Sequence, residues 1–473
     1  MTEKPSFQKR PHIGLLGLTL EFYEEGFPQV RRERENWVRR EVLPRPRKAG
    51  VDIRFEGAAF TAEAVERQIQ AFEASGCDAL LVMLLTYSTS LTALTALQRT
   101  RLPFLIWNTQ ELFAITPAFS SADLVANHGV HGTFDLANVL LRQGVRFGYH
   151  TSHLQDPGAA EELAALLRAA AAVHRLRGMR IGLLGHPFPG MGDFSLDATH
   201  FRGALGPLIE TITLSEYQAA LRNVRAEAIR AGVAEYRKQY AVDRDISHRL
   251  LEATARAEEA LRRLVTDRRC DAITYQFLAF GKDPLTETLP FVAACRLMAE
   301  GVGFGAEGNV IAAAFTTTLQ AIQPPAGFSE IFTIDFAGHR LLLAHMGEAN
   351  PALAHPGHPI RLRRRSPIVP VRVGQLTLVF PYAPGPYTLA ALTPGPRGEW
   401  RLIFSRMEVP DTEPFAQAET PQSLIRPAGD VRRWLTAYAQ AGGPHHLALC
   451  RGDARAPLRL WAHLAGVTPI EIE

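Results

Sequence analysis

The chain has 473 residues, 47% of them hydrophobic, with 37 glycines and 32 prolines. That composition excludes a disordered, collagen-like or disulfide-stapled small protein and leaves room for about two to four domains. Lysine and arginine number 51 against 48 acidic residues, a net charge of +3, which does not suggest nucleic acid or an acidic surface as main partner. The four cysteines, Cys77, Cys270, Cys295 and Cys450, form no CxxC pair. No zinc-ribbon or thioredoxin-like motif is therefore visible, and reduced, mostly buried thiols are expected. The opening MTEKPSFQKR is polar and charged, and no apolar run reaches the ~18 residues of a membrane span. A cytoplasmic protein without a secretory signal or membrane partner is expected.

In chain order, short apolar runs alternate with amphipathic stretches. Residues 12–18 read as a buried strand, 29–43 as a charged helix and 51–55 as a second strand. Thr61 reads as the N-cap of a helix with a glutamate in its first turn. Residues 77–85 and 102–107 supply a third and a fourth strand. Continuously apolar strands alternating with helices predict a parallel sheet covered on both faces.

The pattern then restarts after a helix at 161–177. Ile181-Gly-Leu-Leu-Gly185 repeats Ile13-Gly-Leu-Leu-Gly17, and Cys270-Asp-Ala272 repeats Cys77-Asp-Ala79. One wiring used twice is the economical reading. Two further helices are placed near 215–240 and 247–267. Beyond about residue 325, proline, glycine, arginine and β-branched residues dominate, and long helices are scarce until Val431. The expected fold class is α/β: two serial Rossmann-like doubly wound parallel-sheet domains, 1–176 and 177–325, followed by a β-rich C-terminal domain, 326–473. The basic run 361–365 is read as a solvated strand edge rather than a nucleic-acid site.

No nucleotide signature accompanies Gly14 and Gly17. Residues 301–308 nearly spell a dinucleotide fingerprint, but a helix predicted over 286–299 stands where a strand is required. Those glycines read instead as a tight loop presenting Glu307, with a simple turn as the plainer alternative. Glu330 is read as heading an apolar strand, 331–336. His345 is placed within an apolar strand, 341–346, and the pair His445-His446 precedes another apolar run. Singly, each has a bland reading as a solvated carboxylate or a hydrogen-bonded core histidine. Together, two carboxylates and two imidazoles suit Mn²⁺ or a similar divalent ion, with positions left for vicinal substrate oxygens. Separations of 23, 15 and 101 positions make no motif by themselves. Neighbours on a strand face opposite ways, so one of His445 and His446 is expected to face the ion.

At these residues the chain resembles the L-arabinose isomerase family, within the wider L-fucose/L-arabinose isomerase group. The carrying segments are 296–308, 328–333, 344–351 and 441–446, in the family's order, with a fainter likeness at 102–110 and at His131-Gly132. The resemblance implies a metal-dependent aldose–ketose isomerase working through a cis-enediol, with Glu307 and Glu330 moving the proton. It implies a divalent metal, usually Mn²⁺, held by Glu307, Glu330, His345 and His446, with His445 as the alternate. It also implies substrate contacts at His131 and at Phe277, the latter placed on a strand at 273–277, and a homotrimer or homohexamer with sites at subunit interfaces. Two departures stand out. Leu18-Thr-Leu-Glu-Phe-Tyr23 replaces the family's Gln-His-Leu-Tyr-Gly segment, which bears on the sugar, and Glu307-Gly-Asn-Val310 replaces Glu-Gly-Asp-Trp, which bears on metal choice or rate. The alternative is a non-catalytic sugar-binding or regulatory protein on the same fold, for which the complete Glu/Glu/His/His set is not needed. A nucleotide-dependent oxidoreductase is disfavoured by the missing fingerprint.

Overall fold

The computed structural model describes residues 9–367, 371 and 373–473. The chain divides into two units, Arg10–Arg175 with Ala456–Gly466, and Leu176–Arg455 with Val467–Glu473. Among the described residues no helix is long and apolar enough to cross a membrane.

In the first unit five parallel strands form one sheet: β1 (His12–Leu18), β2 (Asp52–Ala59), β3 (Ala79–Leu84), β4 (Phe104–Asn108) and β5 (Gly148–Thr151), in the order β2-β1-β3-β4-β5. Every residue of β3 is buried, which is why that strand reads as an unbroken apolar run. Helices Ala62–Ala74, Ser90–Arg99 and Val130–Arg142 contribute Val65, Ile69, Phe72, Ala93, Leu97, Leu136 and Leu140 to the same core. Thr61 caps the first of these by accepting from the Ala64 N–H. The charged helix expected at 29–43 is Pro28–Trp37 continued by a π turn, Val38–Val42, and then a separate short helix from Pro44. β5 was not legible in the sequence, because Gly-Tyr-His-Thr is short and mostly polar and lies at the sheet's edge.

The second unit opens on β6 (Arg180–Leu184) and β7 (Leu208–Ile212). A two-residue strand, β8 (Ala241–Val242), follows, and then β9 (Ala272–Tyr275) and β10 (Gly303–Ala306). Four of these make a parallel sheet, β10-β9-β6-β7. Counted from its own first strand, this order is that of the first four strands of the other sheet, so the repeated wiring is present. The repeated triplets also do the same work. Asp78 accepts from the His12 N–H and Asp271 from the Arg180 N–H, each at 2.9 Å, tying the start of the first strand to the start of the third. The helix expected near 215–240 is two helices, Leu214–Arg222 and Ala226–Gln239. The first has a capping box between Thr213 and Glu216.

The expectation of a loop throughout 301–308 is overturned. Residues 303–306 are a strand, not a loop, and the preceding helix is only Phe291–Ala299. The glycines serve close packing. A Cβ on Gly305 would lie 2.2 Å from the Asn309 carbonyl oxygen, and one on Gly303 would lie 2.5 Å from that of Ala313. Only glycine lets helix Val310–Ile322 lie so near β10.

The rest of this unit is β-rich. β11 (Ala326–Asp335), β12 (Arg340–Ala344), β15 (Gly385–Pro394), β16 (Trp400–Val409), β17 (Gln422–Pro427), β18 (His446–Arg451) and β19 (Thr468–Glu471) run in the order β15-β18-β11-β12-β17-β16-β19. β15 also pairs with β16, closing six strands into a barrel. Closure removes sheet edges, and inward residues such as Leu341, Leu343, Tyr387, Leu389, Ile403 and Leu449 fill the core. β13 (Arg361–Arg364) and β14 (Leu376–Val379) join β8 in a separate three-stranded sheet. The basic run is thus not a strand edge. β13 is the middle strand, and Arg361 and Arg363 both bond to the Asp243 carboxylate.

Candidate active site

Four segments of the second unit bring Glu307, Glu330, His345 and His446 together. Glu330 lies within β11 rather than at its head, paired across the ladder with Ala344 on one side and His446 on the other. His345 follows β12 directly, and His446 opens β18. Antiparallel pairing therefore places these three groups side by side. Glu307 arrives from the β10 turn, where it holds a left-handed backbone, φ 60°, rare for a residue with a Cβ. The Phe188 N–H bonds to its carbonyl at 2.9 Å, and Gly308 behind it sits so close to Pro187 that a Cβ there would lie 2.5 Å from the proline Cα. Strain fixed in this way marks a side chain that has to point in one direction.

The ligand atoms form two overlapping triads, Glu330/His345/His446 and Glu307/His445/His446, each within 4.8 Å. His345 Nε2 is 3.9 Å from Glu330 Oε2, and His446 Nε2 is 3.5 Å from Glu307 Oε2. His345, Glu307 and His446 are buried, and Glu330 is partly so. Phe194 stacks on the His446 ring, and Phe328 meets both imidazoles edge-on. His445 precedes the strand, so strand alternation does not turn it away, and its ring centroid lies 4.1 Å from that of His446. Its Nδ1 is 2.5 Å from Asp193 Oδ2, and Asp193 also accepts the His445 N–H.

Burial raises the carboxyl groups of Glu307 and Glu330 above the usual range, because their charged forms lose water. Burial pulls His345 down, but Glu348, Glu330 and Glu307 outweigh it and the group is raised. His446 is driven well below the ordinary imidazole range by burial, reinforced by His345 and His445. Acids pushed toward neutrality beside a neutral imidazole form a site that a cation would bring back to its ionised state.

The donor set passes a simple test for a divalent ion. The Nε2 atoms of His445 and His446 are buried without a hydrogen-bond partner, a cost that coordination would relieve. Carboxylate oxygens with imidazole nitrogens suit Mn²⁺ and its neighbours. A buried carboxylate, Glu348, accepts from His345 Nδ1 at 2.7 Å and from the Tyr275 hydroxyl at 2.7 Å. This leaves His345 Nε2 facing Glu330. Neither Glu348 nor Asp193 was singled out from the sequence. Glu348 does stand three positions after His345, a spacing that could have drawn attention to it.

Two other expected contacts come from other segments. Phe277 is not on a strand. β9 ends at Tyr275, and Phe277 starts a 3₁₀ turn whose ring lies 5.8 Å from that of Phe188, next to the segment bonded to Glu307. His131 belongs to the first unit, on helix Val130–Arg142, stacked on Tyr87 at 4.6 Å and near His128.

Residues 197–324 match the L-arabinose isomerase central domain and residues 325–468 the L-arabinose isomerase C-terminal domain. An L-arabinose isomerase of Nocardioides sp. is 31% identical over 402 residues, 80% of this chain and 77% of that protein. One from Acidothermus cellulolyticus is 28% identical over 447 residues, 90% and 87% of the two chains. Among solved structures, a periplasmic solute-binding protein of Actinobacillus succinogenes with bound D-allose is 14% identical, covering 66% of this chain and 91% of its own. Its TM-score of 0.17 carries no argument. The matched domains cover more than half of the sequence, and the Nocardioides relative shares nearly a third of its aligned residues along four fifths of it. The chain belongs to the L-arabinose isomerase family, whose enzymes interconvert aldoses and ketoses.

Proposed function

We propose that this protein is a divalent-cation-dependent aldose–ketose isomerase of L-arabinose isomerase type, acting on a small open-chain sugar through a cis-enediol. The observation that carries the reading is the convergence of Glu307, Glu330, His345 and His446 in two triads that share His446. Bound there, Mn²⁺ or a related ion would polarise the sugar carbonyl and acidify the neighbouring C–H. The protein's own groups do the rest. Glu307 and Glu330 reach the cluster from different segments, so one would take the proton from C2 and give it back at C1, while the other would give a proton to O1 and take one from O2, leaving both as they began. Glu348 orients His345 through Nδ1, and Phe194 and Phe328 exclude water from the imidazoles. No redox cofactor is needed, since the hydrogens that leave C2 and O2 end on C1 and O1 of the same substrate.

The same reading takes His131 and Phe277 as substrate contacts. It divides the chain into domains 1–176, 177–325 and 326–473, and assigns a homotrimer or homohexamer with sites completed at subunit interfaces in the cytoplasm. The test is ketose formation from a panel of L- and D-aldoses after chelation and again after Mn²⁺ is restored. Turnover that returns with Mn²⁺ supports the proposal and identifies the sugar. Sugar binding without turnover under any metal would move the protein to the non-catalytic reading.

A further inference from the structure

The two buried imidazoles of the cluster are wired in opposite senses. His345 Nδ1 faces a carboxylate, Glu348, at 2.7 Å. A carboxylate accepts, so Nδ1 carries a hydrogen, and in the neutral ring the Nε2 lone pair is free. His446 Nδ1 faces the side-chain amide of Asn309, with Nδ2 at 3.1 Å. Which end of an amide points where is decided by its other bonds. Here the other bond is unambiguous. Asn309 is the N-cap of helix Val310–Ile322, and its Oδ1 accepts from the Ala312 N–H at 2.9 Å. The group left for His446 is the NH₂, which only donates. His446 Nδ1 must accept, and the hydrogen of the neutral ring is then on Nε2, the atom 3.5 Å from Glu307 Oε2 and buried without a hydrogen-bond partner.

We propose that Asn309 is a positioning residue that holds His446 in the Nε2–H tautomer and so weakens its hold on a divalent cation. The inference rests on the proposed function for its cation. Coordination through Nε2 needs the lone pair on that atom, so the hydrogen must move to Nδ1, where it meets the Asn309 NH₂ donor to donor. Turning the amide over would give Nδ1 an acceptor, but would set the NH₂ against the Ala312 N–H and break the helix cap. Either route opposes the ligand bond. A carboxylate at 309 removes the conflict, because one oxygen caps the helix and the other accepts from Nδ1–H. The chain thus carries one imidazole ready to bind, His345, and one whose Nε2 carries the hydrogen, His446. That arrangement favours ions that rely on oxygen ligands over ions that depend on imidazole.

The experiment uses the full chain, metal-free and labelled with ¹⁵N in histidine, as wild type, Asn309→Asp and Asn309→Ser. Long-range ¹H–¹⁵N spectra read each tautomer, with the His446 signals assigned by their loss in His446→Gln. Calorimetry with MnCl₂ and CoCl₂ then gives cation affinities without any sugar. The expected result is the Nε2–H form in wild type and the Nδ1–H form in Asn309→Asp, with Co²⁺ binding tightened by roughly tenfold or more and Mn²⁺ by less. Asn309→Ser keeps an oxygen for the cap but is too short to reach the imidazole, so its affinity falls between the two. An Nδ1–H form in wild type, or cation binding that Asn309→Asp leaves unchanged, overturns the inference alone. Failure of all three proteins to bind either ion overturns the proposed function itself.

Discussion

Glu348 shows how much of the site depends on a residue outside the ligand set. Its carboxylate is buried, and its two oxygens are taken by the Tyr275 hydroxyl and by His345. Tyr275→Phe would leave Glu348 Oε1 without a partner. It is expected to cost about 1–3 kcal/mol, read from the urea midpoint at unchanged slope, and to loosen His345 enough to raise the metal concentration needed for activity. Glu330→Gln keeps the shape of the side chain but removes both the charge and the base. Turnover should fall by about a hundredfold or more, while circular dichroism stays as in wild type. Retention of wild-type turnover would remove Glu330 from the chemistry. At this scale the sequence already displayed the four donors, but not their partners. Glu348 and Asp193 are ordinary acidic residues in one dimension, and become part of the site only because β12 and the segment before Phe194 end where they do.

The element that decides the position of Glu307 is the β10 turn and the helix behind it. A side chain at Gly305 would meet backbone atoms of residues 309 and 313, which cannot swing aside as a flexible side chain can. Gly305→Ala is therefore expected to destabilise by about 1–3 kcal/mol and to displace Glu307. Gly178→Ala, with nothing within 4 Å of the new methyl group, is the control and should leave the melting temperature unchanged or slightly higher. The small sheet offers a pH test. Burial works against ionisation of Asp243, but Arg361 and Arg363 outweigh it and hold the carboxyl below its usual value. A carboxyl lowered in the folded state stabilises the protein above its unfolded value of about 4 and loses that contribution as pH falls through the folded value. Denaturant titrations from pH 7 to pH 3 should show a smaller loss of stability in Asp243→Asn than in wild type.

For the whole molecule the relevant quantity is the coupling of metal binding to folding. An ion that binds only the folded chain stabilises it by about 2.7 kcal/mol at a hundred times its dissociation constant. Chelation should lower the melting temperature, and restored Mn²⁺ should raise it with a dependence on ion concentration. A melting temperature indifferent to chelator and ion would count against a resident cation. The repeated sheet order shows how an architecture can be visible in outline and not in detail. The matched pentapeptides run along the first strand of each sheet, and the Cys-Asp-Ala triplets lead into the third. Asp78 and Asp271 tie those strands together identically. Barrel closure had no such signature, since the β15–β16 hairpin and the β15–β18 pairing look alike as stretches of alternating residues.

What the sequence determined by itself was the class of the molecule and the chemistry available to it. Apolar strands between amphipathic helices require covered parallel sheets, and two carboxylates with two imidazoles, in segments resembling a known family, supply the donors of a candidate oxygen–nitrogen site. Both follow from local pattern and residue type. Only the tertiary structure decided what depends on approach in space. It made residues 303–306 a strand, because their glycines admit a helix backbone that no periodicity foretells. It placed residues 361–364 of the basic run 361–365 in the middle of a sheet, because Asp243 is brought beside them. It set both His445 and His446 near Glu307, because the strand begins one residue later than alternation would require. A hydrogen bond across 137 positions, from Asn309 to His446, has no trace in one dimension. Folding creates it, and with it the contact from which the Nε2–H tautomer of His446 is proposed.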